Sequence, residues 1–139
     1  MVKRTPIDDL DRVEITHSEQ LHAWLRDNHG RRESVWLVHY KKHCGDRYVS
    51  WSEIVDAVVA WGWIDSRSRR LDGDRSLLLL SPRKPGSPWS RVNKKRVARL
   101  RADGRLEEPG RAAIERAEKD GSWTVYDECE DLVVRPDLD

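Results

Sequence analysis

The sequence predicts an α+β domain: a small, mainly antiparallel sheet packed by helices, in the order β-α-β-α-β-β-α-α. Three observations carry that prediction. Two capping boxes, at Thr16–Glu19 and Ser50–Glu53, each open a segment whose apolar residues recur at helical spacing. Two strand-like runs flank an Asp72-Gly73-Asp74 turn, the pattern of a hairpin. No βαβ unit repeats, which argues against a doubly wound parallel sheet.

The elements follow in order. Arg12–Thr16 alternates as a short strand. The Thr16 hydroxyl is expected to accept a backbone N–H while Glu19 reaches back, starting a helix with Leu21, Trp24 and Leu25 on one face. Gly30 is placed for a left-handed stop. Ser34–Lys41 is an apolar β run, followed by a turn at Gly45-Asp46. The second capping box opens a helix carrying Ile54, Val55, Val58, Val59 and Trp61, and Gly62 ends it. Trp63–Leu71 and Arg75–Ser81 form the hairpin, the latter with four leucines. Ser87 followed by Pro88 reads as an N-cap with proline at the first helical position, opening a helix with Trp89, Val92, Val97 and Leu100. Pro109–Asp120 is the last helix, with Trp123–Tyr126 packing back.

At 139 residues the chain fits one domain. Residues 1–11 read as a frayed N-terminus, 12–126 as the domain and 127–139 as an acidic tail. No apolar run approaches the ~18 residues of a membrane span, and no secretory signal is visible. Cys44 and Cys129 lie far apart in different contexts, so free thiols in a reducing cytoplasm are expected. There are seven Trp and no Phe. A core built on Trp must supply acceptors for indole N–H groups, which draws polar atoms inward without implying a function.

Net charge is +1, but it is segregated. Arg67–Arg105 holds thirteen basic and three acidic residues, whereas Leu106–Asp139 holds four and eleven. The basic middle favours an anionic partner, unless the acidic C-terminal part folds back and neutralises it.

The chemistry-bearing residues cluster in 61–93. Asp65 sits at a helix-to-strand junction, where a carboxylate either serves a ligand or organises Arg67, Arg70 or Arg83. Arg83 offers a planar fork for phosphate or carboxylate. Ser87 and Ser90 lie at an expected helix N-terminus, a natural anion site, with Asn93 one turn past Trp89. The bland alternative makes Ser87 a cap, Trp89 core and Asn93 a loop tie. Asp65, Arg70, Arg83, Ser87, Trp89, Ser90 and Asn93 together form the candidate ligand site. His39 and Lys41 share one face of a strand end, where His39 is either a base or a surface residue. There is no Gly-rich phosphate loop and no His-Glu-x-x-His or Cys-x-x-Cys pattern, and the five His lack clear metal spacing. No metal, cofactor or catalytic residue is therefore assigned. Cys44 beside His43 is not read as a nucleophile pair, because adjacent strand residues point to opposite faces.

These residues resemble the YdeI/OmpD-associated family, also labelled bacteriocin-protection proteins. The resemblance runs from Glu19 to Trp123. It rests on Trp24-Leu25, Val35-Trp36-Leu37 with Lys41-Lys42, Gly62-Trp63-Ile64-Asp65-Ser66, Ser81-Pro82-Arg83, Ser87-Pro88-Trp89-Ser90 with Asn93, and Gly121-Ser122-Trp123. It implies a role in stress or antimicrobial-peptide and bacteriocin resistance, and no established reaction. The expected function is thus a cytoplasmic domain binding a small anionic ligand, with no membrane span and no protein partner assigned. Two alternatives stay open: nucleic-acid binding through a basic helix at 91–105, and an enzyme with Asp65 or His39 as base. Binding is favoured over catalysis.

Overall fold

The computed structural model describes residues 6–124. The acidic tail at 127–139, Tyr126 and Cys129 lie outside them. Four strands, β1 (Arg12–Glu14), β2 (Val35–Tyr40), β3 (Trp63–Arg70) and β4 (Arg75–Pro82), form one sheet in the order β1-β2-β4-β3. Four helices accompany it: α1 (Ser18–Asn28), α2 (Trp51–Ala60), α3 (Arg91–Ala102) and α4 (Glu108–Asp120). The fold is α+β, with the expected element order. The sheet is mixed: β1 runs parallel to β2, while β2–β4 and β3–β4 are antiparallel. Within β3–β4 the register shifts between Asp65 and Ser68, a bulge just past the junction with α2.

The apolar pattern explains the layers. β2 is buried on both faces, so it reads as a continuous apolar run rather than an alternation. Val35 and Leu37 join Leu78, Leu80 and Trp63 in a core against α1 and α2. Trp36 and Val38 face the other way and pack with Leu77 beneath Ile7 and Leu10. Residues 6–11, expected to fray, instead make a 3-10 turn at Ile7–Asp9 whose Ile7 carbonyl accepts the Trp36 indole N–H at 2.8 Å. The sequence reading missed this because the segment's few apolar residues are too short a run to show a period.

α2 is buried from Ile54 to Ala60 because it lies between two layers. Ile54, Ala57 and Val58 meet the sheet. Val55 and Val59 meet α3 and α4 through Val97, Leu100, Ile114 and Ala117. Asp56, in the same stretch, is 5% exposed. Its carboxylate accepts from Arg96 at 2.6 Å, Arg99 at 2.7 Å and Arg105 at 3.4 Å. Burial alone pushes the Asp56 carboxyl up, but these charged hydrogen bonds outweigh it and the net shift is down.

Three local expectations need correction. The second capping box forms as read, with Ser50 and Glu53 exchanging hydrogen bonds. The first is displaced by one residue. His17 is the N-cap, and Gln20, rather than Glu19, takes the Thr16 and His17 amides. Gly30 is not left-handed, since α1 ends in the right-handed region at His29. Ser87 does not cap α3. Ser90 does, accepting from the Asn93 amide at 3.1 Å, so Trp89 precedes the helix and does not share a helical face with Asn93.

The end of α2 and the start of α4 approach unusually closely. A Cβ on Gly110 would lie 2.2 Å from the Ala60 carbonyl oxygen. One on Gly62, whose φ of +77° already favours glycine, would lie 2.8 Å from the Pro109 oxygen. Gly110→Ala should therefore cost roughly 3 kcal/mol or more in urea unfolding, at or above the usual range for overpacking. Gly30→Ala, with open space around it, should change stability by less than ~1 kcal/mol. Equal effects of the two substitutions would refute the close-packing account.

Candidate functional site

Where β4 ends, the Arg83 amide donates to the Gly62 carbonyl at 3.2 Å, tying the strand exit to the α2–β3 corner. The chain then folds tightly. The Ser87 amide and hydroxyl both donate to the Lys84 carbonyl, at 3.1 and 2.7 Å, and Gly86 takes a φ of +82°. This returns Pro88 and Trp89 over Arg83. The Arg83 guanidinium lies 3.7 Å from the Trp89 ring centroid and donates from Nη1 to the Pro88 carbonyl at 3.1 Å. Trp89 leans on Trp123 at 5.2 Å between centroids.

Arg83 is 6% exposed and Trp89 1%. Among the described residues, four buried side-chain nitrogens lack a hydrogen-bond partner, and three belong to this stack: Arg83 Nε, Arg83 Nη2 and Trp89 Nε1. The other two buried indoles, and half-buried Trp61, are satisfied. Trp36 donates to the Ile7 carbonyl, Trp61 to His22 Nδ1 and Trp63 to the His29 carbonyl. Trp89 is the exception to the rule that a Trp-built core supplies its own acceptors. Burial pushes the Arg83 guanidinium down to about 10, and the nearby Asp65 carboxylate opposes that shift. Arg83 thus stays cationic at neutral pH with little compensation.

A crevice bordered by Lys84, Gly86, Ser87, Arg116, Asp120 and Ser122 opens beside the stack. It is too tight to seat even a water without movement of its walls. Asp120 closes one side. Its carboxylate accepts from the Ser122 hydroxyl and amide, at 2.6 and 2.8 Å, and from the Gly86 backbone, which holds its pKa below the usual range.

The structure therefore gathers part of the expected site. Arg83, Trp89 and Ser87 are contiguous, Asp65 is half-buried within electrostatic reach, and Ser90 and Asn93 form the adjoining cap. Ser87 contributes its hydroxyl to the turn rather than to a helix end. Arg70 does not join. It pairs with Ser76 at the opposite end of the hairpin, five residues beyond Asp65 and so roughly 16 Å along the strand. His39 is also remote, paired with Ser76 on the other side of β4. Lys84, Arg116 and Asp120 are additions. Their only sequence signal was membership of a charged stretch, because α4 meets the 83–90 loop only through the tertiary fold. The expected basic helix at 91–105 ends at Ala102, and within that segment Arg96, Arg99 and Arg105 pair with Asp56, the last two while staying about half-exposed.

A second, roomier groove of about 440 Å³ lies beside α1, lined by Glu19, His22, Arg26, Trp61 and Glu107. Burial lowers the His22 pKa below 6.5, although Glu107 and Glu19 oppose it. Its Nδ1 accepts the Trp61 indole N–H at 3.1 Å, which requires an unprotonated Nδ1.

A family model described as "Domain of unknown function (DUF8412)" matches residues 13–113, most of the chain, and the protein belongs to that family. No curated protein and no solved structure matches it. Among the described residues no helix is long and apolar enough to cross a membrane.

A histidine whose folded pKa is lowered contributes stability that is complete above the unfolded value and is lost as pH falls from there through the folded value. Urea midpoints should therefore drop on the acid side of pH 6.5, with half-buried His39 acting in the same direction. His22→Gln, which keeps an acceptor for Trp61, should remove part of that drop. An undiminished acid loss in the variant would rule out His22 as a source.

Proposed function

We propose that this member of the DUF8412 family is a binding module for a small phosphate- or carboxylate-bearing ligand, received at Arg83. The single observation that carries the reading is the buried Arg83–Trp89 stack with three unpartnered N–H donors. A desolvated guanidinium with two free donors forms charge-assisted hydrogen bonds that would be far weaker in water. The Trp89 indole adds a third donor of fixed direction. Lys84 and Arg116, both exposed, border the crevice and add positive charge at its entrance. Admission of an anion needs only these side chains and the 84–87 turn to shift outward. Asp65 then acts as the balancing charge that keeps Arg83 oriented in the empty state.

The resemblance of the Gly62–Ser66 and Ser81–Asn93 blocks to YdeI/OmpD-associated proteins supports a stress- or bacteriocin-resistance setting for such a module. A nucleic-acid reading draws less support, because arginines of the 91–105 segment are engaged with Asp56.

Calorimetric titration with inorganic phosphate, citrate and ADP tests the proposal. At least one of these probes should bind the wild-type chain and raise its thermal midpoint. Arg83→Lys keeps the charge but loses the fork and should bind at least about tenfold more weakly. Arg83→Met should abolish binding, yet leave the empty protein as stable as wild type or more stable by ~1 kcal/mol, since it removes a buried, poorly compensated charge. No binding by any probe, or binding indifferent to Arg83, would refute the assignment.

A further inference from the structure

Between β2 and α2 the chain makes two short 3-10 turns within Lys42–Arg47, broken at Gly45 where φ is +62°, and does not extend the strand. Successive side chains on such a turn diverge by about 120° rather than 180°. His43 and Cys44 can therefore both face the β3–β4 turn, where Asp74 lies. A ring nitrogen of His43, the Cys44 sulfur and an Asp74 carboxylate oxygen all lie within 4.8 Å of one another. His43 Nε2 is 2.9 Å from Asp74 Oδ1, and the Cys44 thiol donates toward the Asp74 main-chain carbonyl at 3.6 Å.

We propose that His43, Cys44 and Asp74 form a mononuclear site for a zinc-type dication, with one coordination position left to solvent or an outside ligand. The donor set is imidazole, thiol and carboxylate, the three side-chain types that zinc takes. Tetrahedral bonds of about 2.0–2.3 Å place neighbouring donors roughly 3.3–3.6 Å apart. The three donor atoms already lie within 4.8 Å of one another, close to that spacing. Charge also balances: on binding, Cys44 loses its proton to solvent, and thiolate and carboxylate together neutralise the dication.

The scaffold is fixed independently of the ligands. The Lys41 amide donates to the Asp74 carbonyl at 2.8 Å, and the Cys44 amide to the Lys41 carbonyl at 2.9 Å. Lys41 Nζ donates to the Asp72 carbonyl at 3.0 Å. The Asp72 carboxylate is occupied by the Asp74 and Arg75 amides and the Arg75 guanidinium. Asp72 is thereby engaged elsewhere, and Asp74 is the carboxylate that the turn presents. A thiol-nucleophile reading fits less well, because the Cys44 thiol is directed to a main-chain oxygen and the His43 nitrogen to Asp74.

Cobalt(II) titration of the full-length, reduced chain tests the site. About one equivalent should produce a near-ultraviolet thiolate-to-cobalt charge-transfer band and the visible bands of four-coordinate cobalt, both bleached by zinc(II). Cys44→Ser should lose the charge-transfer band. His43→Gln and Asp74→Asn should each weaken cobalt binding by about tenfold or more, since removing a direct ligand costs at least as much as removing an outer partner. Cys129→Ser should bind as wild type. Circular dichroism without metal should show all four variants folded, because none of the three ligand side chains is a core residue. Absence of the charge-transfer band in wild type, its survival in Cys44→Ser or its loss in Cys129→Ser would each overturn the site.

Discussion

The rest of the structure depends on how closely the end of α2 meets the start of α4. The Ala60 carbonyl accepts the Glu107 amide at 3.0 Å, while Gly110 lies against the same carbonyl with no room for a side chain. One residue pair later, the Gly62 carbonyl accepts the Arg83 amide. A single corner of backbone thus fixes α4, the start of β3 and the exit of β4 relative to one another. The corner can be this tight only because two glycines remove the atoms that would otherwise collide. The crevice beside Arg83 inherits its walls from it, since α4 supplies Arg116 and Asp120 and the β4 exit supplies Arg83.

Two buried charges are treated in opposite ways within that frame. Asp56 lies between the layers and is surrounded by three arginines from α3 and the segment after it. Its cluster ties α3 to α2 through Arg96, which is largely buried, and through Arg99 and Arg105, which stay about half-exposed. Arg83 has one hydrogen bond to a main-chain oxygen, an aromatic face and a carboxylate at a distance. Removing a cation from water costs free energy that this environment offsets only partly. A fold that satisfies the indoles of Trp36, Trp61 and Trp63 and oversupplies its buried carboxylate leaves this one stack short of acceptors. The shortfall has a direction, toward negative charge.

Legibility of the candidate site in the sequence followed how local its parts are. Arg83, Ser87, Trp89 and Ser90 lie within eight positions, so composition and turn signals located them together. The role of Ser87 was misread because Ser-Pro is an N-cap signal in isolation, while Ser90 competes for the same helix and wins once Trp89 is needed in the core. Arg70 was grouped with Asp65 by proximity in sequence, but a strand separates residues by about 3.3 Å each, and five residues carry it out of reach. His43 and Cys44 were set aside on strand geometry, and the backbone there is a 3-10 turn.

By itself the sequence determined the element types, the hairpin, the second capping box and the concentration of cations in the middle of the chain. These follow from periodicity and short-range hydrogen bonding, which act over a few residues. Only the tertiary structure decided that β1 lies parallel to β2, that Arg96, Arg99 and Arg105 turn toward Asp56, and that Arg116 and Asp120 border Arg83. It also decided that Arg83 is buried without a full complement of acceptors. Burial is a property of what packs against a side chain from distant segments, and no local pattern encodes it.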